Sequence, residues 1–234
     1  ADHTQRSHAG RAVAAEMGKD IAILGDLQGP KNRIEGFANG AVQLIEGQKF
    51  ILDTELDYKA GHLERVAISY DLTVDTRPGD TLLLNDGAIA LKVTGITAHT
   101  VETTVLVGGK LSDRKGINRL GGGLSAAALT DKDFADIKLA AALDVDYLAV
   151  SFPRSAEDMH LARAKLLEAG GKAKLVSKIE RAEAIISLEE IIAASDAVMV
   201  ARGDLGVEIG DAELPGVQKR IIQLSREMNK LVIT

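Results

Sequence analysis

Two patterns of hydrophobic and polar positions divide the chain. Beyond residue 123, short uninterrupted apolar runs (DYLAVS, LVSKI, DAVMVA and LVIT) alternate with longer stretches whose apolar positions recur at helical spacing. Such runs are strands buried on both faces, and with the helices between them they predict parallel βα units. A helix is expected from Thr130, with Asp133 completing its start, through about Leu143, followed by a strand over 146–151. Ser155 with Asp158 begins the next helix, which Gly170 and Gly171 end; LVSKI is then a strand and 182–194 a single helix. DAVMVA follows as a strand, Leu214 to Lys230 as a helix with Pro215 in its first turn, and LVIT as the start of another strand.

From about Ile34 to Gly109 the text changes to short aliphatic and β-branched runs such as KFILD, DTLLLNDG and TVETTVLVGG. They are punctuated by Asn39-Gly40, Pro78-Gly79 and Asp86-Gly87. Closely spaced strands with turn residues between them predict a small all-β barrel or sandwich. Ahead of it, AGRAVAAEMGKD reads as a helix ended by Gly18, and Ile21 to Leu24 as a strand leading into the tight loop at Gly29-Pro30. The organisation expected is a barrel segment over 1–34, a β-rich lid over 35–117 and a second barrel segment over 118–234.

A (β/α)8 barrel suits the βα units better than an open doubly wound sheet. Ser151, Lys178 with Glu180, and Arg202 with Asp204 all lie at C-terminal ends of successive strands, where barrels keep their chemistry. An open sheet would concentrate its site at one switch point, usually beside a glycine-rich phosphate loop, and no such loop follows a strand here. Gly121 to Gly123 follow a loop, so they make a weak phosphate site alone.

Lys178 and Glu180 are two residues apart and so project from one face of their strand. With Asp204 they form a hard, oxygen-donating site suited to Mg²⁺ or Mn²⁺ and an anionic substrate, the lysine stabilising charge on an enolate or a transferring phosphoryl group. A Lys–Glu ion pair closing the barrel mouth is the alternative. GDLGVEIG can turn backbone N–H groups at Gly203 toward an anion. Lys31 and Arg33 on the way into the β-rich region, with Lys115 and Arg119 on the way out, bring cations to one cleft mouth. Asp86 either faces a metal-bound nucleotide or is only a turn residue.

The bulk numbers narrow the classes. The 234 residues are 46% hydrophobic, enough for a full core and a second smaller one, and carry a formal net charge of -6 that disfavours nucleic acid. Without cysteine there is no disulfide framework, thiol nucleophile or thiolate metal site. The five histidines are scattered without ligand spacing. No apolar run approaches the roughly 20 residues of a membrane span, and the first residues lack a signal-peptide layout. The expectation is a soluble cytoplasmic chain.

The segments GDLQGPKNRI, LLLNDG, KGINRLGGGLSAAALTDKD, DYLAVSFPRS, SKIERAEA and SDAVMVARGDLGVEIG, in this order, resemble the pyruvate kinase family over nearly the whole chain. The resemblance implies a (β/α)8 barrel interrupted after its third strand by a mobile β-rich domain. It also implies phosphoryl transfer from phosphoenolpyruvate to ADP, giving pyruvate and ATP in glycolysis, by a homotetramer. Lys178 would stabilise the enolate and phosphoryl charge, Glu180 and Asp204 would hold the divalent cation, and Gly203 and Asp204 would take the substrate carboxylate. Arg33, Asp86 and Lys115 would face the nucleotide phosphates, and Asp26 matches a monovalent-cation ligand.

Two departures carry consequences. Lys31 stands where potassium-dependent members carry glutamate, so K⁺ is not expected to be required, and Asn32 replaces an aliphatic residue. Family strands before residue 1 and the active-site threonine after Thr234 are absent, which leads to the expectation of an incomplete barrel, inactive alone. A metal-dependent (β/α)8 oxoacid aldolase or lyase, or a noncatalytic nucleotide-binding module, are the competing readings.

Overall fold

The computed structural model describes residues 2–234. It opens with helix α1 (Asp2–Glu16) and strand β1 (Leu24–Asp26). Eight strands follow without an α-helix between them: β2 (Ala41–Leu44), β3 (Lys49–Asp53), β4 (Arg65–Ala67), β5 (Thr81–Leu84), β6 (Ile89–Ile96), β7 (Thr100–Val107), β8 (Gly109–Ser112) and β9 (Ile117–Arg119). The chain then alternates helix and strand through α2 (Asp131–Ala142), β10 (Tyr147–Val150), α3 (Ala156–Glu168) and β11 (Lys174–Ile179). Helices α4 (Ala182–Ile186) and α5 (Leu188–Ala194), strand β12 (Ala197–Val200), helices α6 (Arg202–Ile209) and α7 (Leu214–Glu227), and strand β13 (Leu231–Ile233) complete it.

The five strands β1, β10, β11, β12 and β13 pair in that order, all parallel. Their alternation sorts two faces. Leu148 and Val150, Leu175 and Ile179, and Val198 and Val200 point outward into one core with Ile137 of α2, Met159 of α3, Ile191 of α5 and Ile221 of α7. The inner face instead carries a small cluster of Ala149, Val176 and Ala197. Helices gathered on one face and layered strand side chains on the other are the arrangement of a barrel segment rather than a doubly wound sheet. No helix among the described residues is long and apolar enough to cross a membrane.

Between β1 and β10 the chain leaves for the β-rich region. A six-stranded sheet in the order β4-β3-β7-β6-β5-β9 and the pair β2-β8 enclose their own core, with Phe50, Leu52, Leu82, Leu91 and Val101 at 0% exposure. Asn85 and Asp86 both adopt left-handed φ (52° and 55°), which the LLLNDG turn requires for a tight reversal between β5 and β6. Strand β9 pairs with β5, so the sheet continues through Arg119.

Several expected elements are adjusted. The strand expected at 21–24 instead occupies Leu24–Asp26, because Asp146 captures Ile23: its carboxylate accepts the Ile23 N–H at 2.7 Å, and Ile21 remains 48% exposed. The helix expected over 182–194 breaks at Ser187, which lets Leu188, Ile191 and Ile192 bury fully while Ile186 faces solvent. The helix expected to reach Lys230 ends at Glu227. Asn229 takes a left-handed φ of 55°, and the Lys230 and Asn229 N–H groups return to the carbonyls of Ser225 and Arg226 at 2.7 and 3.0 Å. Ser155 precedes α3 without a side-chain cap; Asp158 accepts the Arg154 N–H instead, at 2.8 Å.

The Thr130–Asp133 capping box forms as expected and reaches further than its helix. Asp133 is fully buried; Oδ2 accepts from Thr130 N–H at 2.9 Å, and Oδ1 accepts from Gly29 N–H at 3.1 Å. Gly29 has φ 64°, and a Cβ there would lie 2.9 Å from the Phe152 ring and 3.0 Å from Ser151. Asp133 thus fixes the turn that carries Lys31 and Arg33. Asp133→Ala is expected to lower stability by about 3 kcal/mol, a lost cap plus an unsatisfied buried N–H. Urea unfolding should show a lower midpoint with unchanged slope; an unaltered midpoint would contradict this role.

Candidate active site

Alternation in β11 sends Leu175, Ser177 and Ile179 outward and Val176, Lys178 and, just beyond the strand, Glu180 inward. Glu180 is only 2% exposed. Its Oε2 accepts the Phe152 N–H at 2.9 Å, and its Oε1 lies 3.2 Å from Lys178 Nζ. Phe152 reaches that position with a left-handed φ of 58°, an unfavourable geometry for a bulky residue, held here by packing against Gly29 and beneath the Arg181 guanidinium.

Lys178 gathers a shell from three strands. Asp26 at the end of β1 receives it at 3.1 and 3.2 Å through its two oxygens, and Ser151 Oγ beyond β10 lies 2.9 Å away. Burial works against the ammonium, but the charges of Glu180 and Asp26 outweigh it and the pKa rises above 10.5. In this state Lys178 is a fixed cation and not a base. Burial also raises Glu180 above 4.5, against the opposing pull of Lys178, and the negative charge of Asp204 adds to the rise.

Asp204 stands in the first turn of α6 and takes Lys31 Nζ at 2.8 Å. The same ammonium lies 3.8 Å from Asp86, so Lys31 bridges the parallel-sheet region and the β5–β6 turn. Gly203 is exposed, and open space surrounds the position of an added Cβ. Arg33 and Lys115 flank the connection as half-buried cations; Arg33 donates to the Arg114 carbonyl at 2.9 Å, and the Lys115 carbonyl accepts from Ile34 N–H at 2.9 Å. Arg119 is committed elsewhere, gripping both oxygens of Asp80 at 3.0 and 3.1 Å. Asn32 is buried, and its carbonyl accepts from Ile117 N–H at 2.9 Å.

The residues present suit a divalent cation. The negative charge of Asp204 disfavours the ionisation of Glu180, and a hard cation between the two would turn that repulsion into attraction. Among the described residues no group of three His, Cys, Asp or Glu forms a metal cage, so remaining positions would fall to water and substrate oxygens.

A second charged cluster lies behind the first and escaped sequence reasoning. Glu208, four residues and one helical turn after Asp204, is 5% exposed; Oε2 accepts from Ala182 N–H at 2.9 Å and Oε1 from the Asn118 amide at 3.3 Å. Arg181, 4% exposed, donates to the Leu124 carbonyl at 3.2 Å. The four-residue spacing of Asp204 and Glu208 on one helix face is the sequence signal that could have found it.

A parallel βα sheet with its charged side chains at the strand ends and a β-rich insertion defines a barrel segment of the interrupted kind. A family model described as "Pyruvate kinase, barrel domain" matches residues 1–234. The chain is 55% identical over 237 residues to pyruvate kinase II of Salmonella typhimurium, covering all of this chain and 49% of that protein. It is 54% identical to pyruvate kinase of Haemophilus influenzae, covering all of this chain and 50% of that protein, and 41% identical to that of Corynebacterium glutamicum over 99% of this chain and 49% of the relative. The chain belongs to the pyruvate kinase family, with a partial (β/α)8 barrel, and spans about half the length of these relatives.

Burial raises the pKa of Glu208 above 4.5; Glu183 adds to the rise, while Ala182 N–H, Asn118 and Arg181 oppose it. Between 4.5 and the raised value the folded chain keeps a proton that the unfolded chain has released. The contribution of Glu208 to stability therefore falls as pH rises across that window. Glu208→Gln should make the wild-type decline across it shallower, read from urea midpoints at stepped pH; an identical slope would show that Glu208 does not titrate this way.

Proposed function

We propose that this chain carries the reaction centre of a kinase that moves the phosphoryl group of phosphoenolpyruvate to ADP, giving ATP and an enolate that is protonated to pyruvate. The observation that carries this reading is Lys178 and Glu180 at one strand end, with Asp204 near enough to act on Glu180. Family membership supports the same chemistry, as it does a cytoplasmic, glycolytic homotetramer for the complete enzyme.

Glu180 and Asp204 would hold Mg²⁺ or Mn²⁺, which when bound supplies charge neutralisation at the phosphoryl and enolate oxygens. The Lys178 ammonium, anchored by Asp26 and Ser151, offers a positive charge that needs no reorganisation as negative charge builds on the enolate oxygen. The exposed backbone at Gly203 and Asp204 would receive the substrate carboxylate. Arg33, Lys115 and Asp86 face the nucleotide phosphates, with residues 35–117 acting as a lid that excludes water. Catalysis here is positioning and electrostatics, with no covalent intermediate on the protein.

Asp26 occupies the monovalent-cation position of the family, and the Lys31 ammonium beside Asp204 supplies a fixed charge in place of a mobile K⁺. Lys178→Met in the complete protein should lower kcat for pyruvate formation by about 10³-fold while Mn²⁺ still binds; a variant that keeps its turnover would refute the assignment. The wild-type rate should change little when K⁺ is exchanged for tetramethylammonium, whereas Lys31→Glu should become K⁺-dependent. Strong K⁺ activation of the wild type would overturn the charge-replacement reading.

A further inference from the structure

The linker that returns the chain from the β-rich region is built for docking. Gly121, Gly122 and Gly123 all adopt left-handed φ (84°, 78° and 92°). A Cβ on Gly122 would meet the Glu183 carboxylate at 2.8 Å, and one on Gly123 would collide with the Arg119 guanidinium. Three successive residues of this geometry leave only glycine unstrained. They are a joint rather than a phosphate cradle, because their N–H groups are already used: Gly121 donates to the Glu208 carbonyl at 2.9 Å, and Gly123 donates to the Glu183 carboxylate.

Glu208 joins three segments at this point. Its Oε1 takes the Asn118 amide of β9, its Oε2 takes the N–H of Ala182 two residues beyond Glu180, and its own helix carries Asp204 one turn earlier. The side chain is buried, so its two acceptor bonds have no water to replace them. Asn118 of β9 is thereby linked to both carboxylates of the candidate metal pair, to Glu180 through Ala182 and to Asp204 through α6.

We propose that Glu208 is a positioning residue that makes the spacing of Glu180 and Asp204, and hence their affinity for a divalent cation, depend on the docking of the β-rich region's return linker through Asn118. This inference rests on the reading of Glu180 and Asp204 as the metal pair. Glu208 touches neither substrate nor cation; it sets the distance between the groups that would.

The test measures Mn²⁺ affinity by electron paramagnetic resonance in the complete protein, without substrates, for wild type, Asn118→Ala, Glu208→Gln, the double variant and Glu180→Gln. Asn118→Ala and Glu208→Gln should each weaken Mn²⁺ binding by about tenfold, the usual scale for supporting partners of metal ligands. The double variant should be no weaker than the worse single one, because both changes break one linkage. Thermal unfolding separates this from a structural role: a lowered Tm with Mn²⁺ affinity unchanged in both single variants overturns the proposal. If Glu208→Gln does not fold, Asn118→Ala decides alone, since it removes only the linker's half of the contact. Loss of binding in Glu180→Gln beside wild-type binding in the other variants refutes the coupling and leaves the metal pair intact. Retained binding in Glu180→Gln refutes both.

Discussion

The architecture of the site depends on burying the Glu180 carboxylate beside the Lys178 ammonium on the inner face of β11. Alternation along the strand places both there, and the cost of taking a carboxylate out of water dictates the surroundings. One oxygen of Glu180 takes the Phe152 N–H and the other meets Lys178; Lys178 in turn needs Asp26 and Ser151. These partners come from the ends of β1, β10 and β11, so the charge network also fixes how three parallel strands finish. Glu180 still has a raised pKa, chiefly because burial penalises its charge, with the negative charge of Asp204 adding a smaller push. A site left in that condition by its own fold is suited to a cation that arrives with the substrate.

The second consequence concerns the insertion. The β-rich region has its own core and meets the parallel sheet through polar contacts: Lys31 between Asp204 and Asp86, Asn118 on Glu208, and the Ser125 N–H on Asp75 at 2.8 Å. Polar junctions of this kind open at lower cost than apolar ones. The three successive left-handed glycines at 121–123 mark where the chain leaves that region for the parallel sheet.

Much of this was legible in the sequence because burial and alternation write themselves into composition. The apolar runs gave β10, β11 and β12 within a residue or two, and the two-residue spacing of Lys178 and Glu180 gave their common face. The Thr130–Asp133 cap was equally plain. What stayed hidden was whatever depends on partners distant in the chain. Ile21 and Ala22 look like strand residues, yet Asp146 captures Ile23 and the ladder starts only at Leu24. Ser187 breaks a helix for the sake of core residues on either side of it, and Glu208 acquires its role only when Asn118, 90 residues earlier, folds against it. The left-handed Phe152 carries no glycine or asparagine to announce it.

Under the proposed function, Glu180 and Asp204 would together hold a divalent cation beside Lys178. Anomalous diffraction from crystals of the complete protein grown with Mn²⁺ and phosphoenolpyruvate tests it directly. A manganese peak ligated by both carboxylates, with substrate oxygens completing its shell and Lys178 on the reacting side, is the predicted result. A peak held by other residues, or an ordered substrate with no manganese between Glu180 and Asp204, would contradict it.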